Sequence, residues 1–142
     1  MARASLGKEL HCIAKNEIGL LGRIVVALAQ KEVFILHLLA YTVGEMGYLQ
    51  MVTRDQDTDK ARDAISYFIP KIDKRDVLLV EFENKVGSLA EVAKLLGNHG
   101  IDIRYVYGTS SDGFKIVGVF STRDNQKACA LINKASDHLG VS

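Results

Sequence analysis

The chain has 142 residues, 48% of them hydrophobic, and carries 18 Lys and Arg against 17 Asp and Glu for a net charge of +1. This balance holds in both halves and excludes a basic nucleic-acid module or an acidic tail. The most apolar stretch, Ile18 to Val43, is broken by Arg23 and by Gln30-Lys31-Glu32, so it reads as a buried helix and strand, not a membrane span.

In chain order, Met1 to Gly7 has no period and is expected to be a flexible tail, residues 1–7. Leu10 to Ala14 makes a first strand. Leu21, Ile24, Val25 and Leu28 recur at helical spacing and form one apolar stripe. Val33 to Val43 reads as a long strand, and Gly44-Glu45-Met46-Gly47 turns it into Tyr48 to Thr53. Asp57 or Thr58 is placed to cap a helix with inner face Ala61, Ala64, Ile65 and Phe68, stopped by Pro70, the only proline. Pro70 to Arg75 is the candidate fourth strand of this half.

The same order returns. Val77 to Phe82 is a strand, and Ser88-Leu89-Ala90-Glu91 has the pattern of a capping box. Gly100 stands where a left-handed residue ends a helix. Ile101 to Tyr107 is a strand, Ser110-Ser111-Asp112-Gly113 a hairpin turn, and Phe114 to Phe120 the next strand. Asp124 precedes a helix burying Ala128, Leu131, Ile132 and Ala135. Only Leu139 to Ser142 remains for a last strand, so that strand is short, missing or borrowed.

The clearest signal is a repeated turn. Asn16-Glu17-Ile18-Gly19-Leu20-Leu21 reappears as Asn84-Lys85-Val86-Gly87-Ser88-Leu89, each copy following a strand and opening a helix. The reading is α+β: two ferredoxin-like βαββαβ units, residues 8–75 and 76–142, each an antiparallel sheet with helices on one face. A unit of about 65 residues buries only about 60% of its unfolded surface, so each needs further cover.

At both turns, helix N-termini present amides suited to an anion. A carboxylate fits the N–H groups of 18–21 or 86–89, a glycine lets it approach the backbone, and the Asn16 and Asn84 amides are equipped to meet an ammonium or a carboxylate. The alternative is that each glycine only makes a tight turn and each asparagine only caps the backbone. Tyr105 and Tyr107 share a sheet face, which suits either a pocket wall or packing.

With Asn-x-(Ile/Val)-Gly-x-Leu at the first turn and Gly100-Ile101-Asp102-Ile103 opening a strand, the chain resembles the ACT domain over residues 8 to 142, in the form of a stand-alone tandem protein. The match is closer in the second unit. In the first, Glu32 replaces Gly100 and Val33-Phe34-Ile35 replaces Ile-Asp-Ile. The family commonly has Pro before the glycine, where this chain has Ile18 and Val86. The resemblance implies a non-enzymatic regulator that binds an amino acid or related small molecule, with ligand contacts at 16–21, 84–89, Tyr105 and Tyr107, and it implies an enzyme of amino-acid metabolism as partner. A constitutive interaction module with vestigial pockets is the rival reading.

His11, His37, His99 and His138 have no metal-ligand spacing, so neither metal nor cofactor is expected. Gly113 to Phe120 faintly echoes an RNA-recognition strand but has Ile116 where an aromatic belongs, and no basic stripe accompanies it, so no nucleic acid is expected. Cys12 and Cys129 read as free thiols of a reducing compartment, and no signal-peptide core follows Met1-Ala2-Arg3, which points to the cytoplasm. Val33 to Val43 is an uncharged, proline-free strand expected at a sheet edge. Pairing with Ile101 to Tyr107 or with the same strand of a second chain protects it, and a homodimer is favoured.

Overall fold

The computed structural model describes residues 2–110 and 112–138. Its elements are β1 (Arg3–Lys15), α1 (Leu20–Gln30), β2 (Ile35–Val43), β3 (Met46–Thr53), α2 (Thr58–Ile65), β4 (Lys71–Glu83), α3 (Ser88–Asn98), β5 (Ile103–Thr109), β6 (Lys115–Thr122) and α4 (Asn125–His138). The chain divides into a first unit, residues 7–75, and a second unit, residues 1–6 with 76–142.

In the first unit β2 pairs with β3 and β3 with β1, both antiparallel, and the 71–75 end of β4 lies beside β1. Leu10, Cys12 and Ala14 alternate onto the face covered by α1 and α2, where they meet Ile24, Leu28, Leu49, Met51, Ala61 and Ile65 in one core. α1 buries Ile24, Ala27 and Leu28; of the expected stripe Ile24 and Leu28 are buried, Val25 is half-buried and Leu21 is exposed. α2 ends at Ile65, five residues before Pro70; Phe68 reaches the core from the segment that follows the helix. Asp57 makes no capping bond because its carboxylate faces Arg54 and Lys60, which hold it below the usual carboxylate range.

The second unit repeats this build with β5-β6-β4 antiparallel and a core of Leu78, Val80, Phe82, Val92, Leu96, Phe120, Ala128 and Ile132. Each unit is the ferredoxin-like sheet with helices on one face that the pattern expects. Leu139 to Ser142, the short candidate for a last strand, lies outside the described residues; the fourth position is taken by the 3–6 end of β1.

Three local expectations change. Arg3–Gly7 is strand, not tail, because this end of β1 lies beside β4 and is held further by α4, contacts distant in sequence and beyond any local pattern. The Ser88 capping box does not form: Gly87 is the N-cap, Ser88 is already helical, and no side chain caps the helix. β2 pairs only with β3, and β5 only with β6, so pairing of β2 with Ile101 to Tyr107 does not occur. Asp124 does cap, its Oδ1 accepting from Lys127 N at 3.0 Å, and Gly100 is left-handed with φ +71°. Ser111 lies outside the described residues. Beside it Asp112 Oδ1 accepts from the Phe114 and Lys115 amides, and both bonds hold its carboxyl below the usual range.

Candidate functional site

The two repeated turns share one backbone geometry. Gly19 has φ +88° and Gly87 φ +94°, left-handed values that strain any residue with a Cβ. A Cβ at either position would meet nothing within 4 Å, so conformation and not crowding requires glycine there. In the first turn of α1, Leu20 N donates to Glu17 O at 3.1 Å and Arg23 N to Gly19 O at 3.0 Å. The amides of Leu21 and Gly22 between them find no backbone acceptor among the described residues.

A cavity of about 290 Å³ opens in the first unit beside this turn. Cys12, Ala14, Ile24 and Leu49 supply apolar walls and Asn16 and Glu17 add polar side chains, while Tyr41 and Tyr48, out of phase with Ala40, Gly47 and Leu49, turn their rings to the opposite sheet face. The cavity exists because small residues stand one position inside the adjoining ends of β1 and β3: Ala14 and Gly47 are cross-strand partners. Tyr41 and Tyr48 stack with ring centroids 5.1 Å apart. Glu17 pairs with Arg23 at 3.2 Å, both exposed. The Asn16 side chain makes no hydrogen bond among the described residues. Burial, reinforced by Asp73, pushes the Cys12 thiol up to about 12, so it is a neutral wall and not a nucleophile at neutral pH.

Five of the six first-unit candidates therefore line one cavity: Asn16, Glu17, Gly19, Leu20 and Leu21. Ile18 does not; its side chain is fully exposed. The second unit differs. A cavity of about 430 Å³ among its described residues includes Lys85 and Ser88 but not Asn84, Val86, Gly87 or Leu89. Val86 is fully exposed like Ile18, and Lys85 pairs with Glu83 at 3.1 Å. Asn84 Nδ2 donates to Gly113 O at 3.1 Å.

Tyr105 and Tyr107 stack on each other with centroids 6.3 Å apart. They are not on the turn's side of the sheet. Their partners Ser121 and Val119 alternate with the core residue Phe120, and a bulge between Ile103 and Tyr105 sets that parity. Sequence reasoning missed the apolar lining, Cys12, Ala14, Ile24, Ala40, Leu49 and Ile69. The available signal was the coincidence of two very small residues, Ala14 and Gly47, at facing strand ends.

Among the described residues no group of three or more His, Cys, Asp or Glu is placed to hold a metal, and no helix is long and apolar enough to cross a membrane.

No family model and no curated protein matches the chain. Solved structures do. A Bacteroides thetaiotaomicron protein superposes with TM-score 0.84 at 22% identity, covering 94% of this chain and 90% of that one. The ligand-free regulatory subunit of aspartate kinase from Thermus thermophilus gives 0.73 at 13% identity, covering 94% and 95%. The aspartate kinase of Clostridium acetobutylicum gives 0.64 at 19%, covering 94% of this chain and 34% of that enzyme. What this chain shares with an aspartate kinase regulatory subunit is its fold, over nearly its whole described length.

Proposed function

We propose that this protein is a non-enzymatic regulator that binds an amino acid or a close relative in the cavity beside the Gly19 turn. One observation carries the reading: two unengaged first-turn amides, Leu21 and Gly22, adjoin an apolar cavity of about 290 Å³. A carboxylate suits those amides and the partial positive charge of the helix end. The free Asn16 amide offers an acceptor to the ammonium, and the walls of Cys12, Ala14, Ile24 and Leu49 suit an apolar side chain. Tyr41 and Thr42 of the edge strand β2 also line the cavity, so a bound ligand alters the edge through which we propose two copies associate. The fold shared with aspartate kinase regulatory subunits supports an enzyme of amino-acid metabolism as the regulated partner.

A thermal-shift screen of the common amino acids and their keto-acid analogues tests this. A ligand at 100 times its dissociation constant adds about 2.7 kcal/mol to folding stability, which raises the melting temperature of a chain this size by several degrees. A flat screen at millimolar concentration rejects the sensor.

The second reading is a constitutive interaction module. The row of exposed apolar side chains on and beside β2, Phe34, Leu36, Leu38, Tyr41 and Val43, favours it. Under that reading partner binding is indifferent to every compound in the screen.

A further inference from the structure

We infer that the chain binds one ligand, in the first unit only, because Phe82 occupies the equivalent space in the second; this rests on the sensor reading above.

Strand register sets the comparison. Ala14 pairs with Gly47 where β1 and β3 end beside the Gly19 turn, and Phe82 pairs with Ile116 where β4 and β6 end beside the Gly87 turn. The cavity of the first unit lies over two of the smallest residues, and the second unit puts two large apolar ones there. Phe82 is buried, at 6% exposure, and belongs to the core with Val92 and Ile132. Further in, Cys12 faces Leu49 in one unit and Val80 faces Gly118 in the other. The space that Gly118 leaves is not empty. A Cβ built there would lie 2.8 Å from Phe120 Cε1 and 3.5 Å from Phe82 Cε1, so the two rings have closed over the glycine.

The polar side differs in the same sense. The Asn16 side chain has no hydrogen-bond partner among the described residues, whereas Asn84 spends its amide on the Gly113 carbonyl at 3.1 Å. The cavity that the second unit does have omits Asn84, Gly87 and Leu89 and takes Phe82 as part of its lining. The second unit thus carries its own apolar occupant. Phe82 also marks where a ligand's side chain sits in the first unit: over Ala14, at the facing strand ends.

The test is a titration of the full ¹⁵N-labelled chain with each of the twenty common L-amino acids and their keto-acid analogues in turn, followed by amide shifts. The expected result is that at least one moves the signals of Asn16, Gly22 and Gly47 while those of Asn84, Ala90 and Ile116 stay, with one ligand bound per chain by calorimetry. Ala14→Phe then weakens that binding at least tenfold while the chain still melts cooperatively, and Phe82→Ala makes the second set of signals move. Movement of both sets in the wild type overturns this inference and leaves the sensor reading standing, whereas movement of the second set alone overturns both, because the sensor reading places the ligand beside the Gly19 turn. No movement with any of these compounds overturns both. If Ala14→Phe fails to fold, the wild-type titration decides alone.

Discussion

Asn133 and Ala4 hold each other through two reciprocal hydrogen bonds: Asn133 Oδ1 accepts from Ala4 N at 2.8 Å, and Asn133 Nδ2 donates to Ala4 O at 2.9 Å. The side-chain amide acts as a strand neighbour would, and the Cys129 thiol adds a weak donor to the same carbonyl at 3.5 Å. Together with the Arg3–Asp137 pair, this ties residues 3–6, already paired in the sheet beside β4, to α4. Asn133→Ala leaves both Ala4 groups without that partner and is expected to cost about 1–3 kcal/mol. Urea unfolding checks the size, and faster hydrogen exchange at residues 3–6 shows where the loss is felt. An unchanged midpoint contradicts the account.

Glycine strain makes a paired prediction. Gly19→Ala and Gly87→Ala each place a Cβ in left-handed backbone with open space around it, so each is expected to cost about 1–2 kcal/mol without a clash. Glu32 is the reverse case: it holds φ +55° at the end of α1, where the second unit has Gly100. Glu32→Gly is therefore expected to raise stability by up to about 1 kcal/mol. Thermal or urea midpoints of the three variants read both signs.

Acid sensitivity follows from two histidines. Burial lowers the pKa of His11, with Arg75 adding to it against Glu9 and Asp73, and burial lowers that of His37. His11 Nδ1 is buried with no hydrogen-bond partner. The unfolded chain binds protons below about pH 6.5 that the folded one refuses. Stability is thus full above that pH and falls as pH drops from 6.5 through the depressed folded values. The carboxylates held low, such as Asp57, Asp59 and Glu83, contribute only further down, near and below their ordinary values. Urea midpoints at pH 7.5 and 5 are expected to differ, and His11→Gln to narrow the gap.

The open edge of β2 predicts assembly. β2 has one ladder neighbour, β3, and exposes Leu36 and Leu38. A flat apolar edge of this kind is rarely left bare. The wild type is expected to sediment as a homodimer at micromolar concentration and Leu38→Lys as a monomer. A monomeric wild type with a neutral Leu38→Lys removes the dimer from the proposal.

Local chemistry was enough to determine much of this protein. Period-2 runs such as Leu10-Cys12-Ala14, the helical stripe through Ile24 and Leu28, and a glycine at each strand-to-helix turn are set by neighbours in sequence, so the repeated βαββα order was legible. Five of the six first-turn residues also reached the candidate cavity on local grounds. What escaped depends on contacts distant in the chain. Residues 3–6 become strand beside β4, and Asn133, 129 positions beyond Ala4, adds to their hold. The parity of Tyr105 and Tyr107 turns on a bulge that only pairing with β6 fixes. Whether a glycine turn overlooks a cavity depends on what faces across two strands: Ala14 against Gly47 leaves space, and Phe82 against Ile116 fills it, because register decides which side chains share a volume.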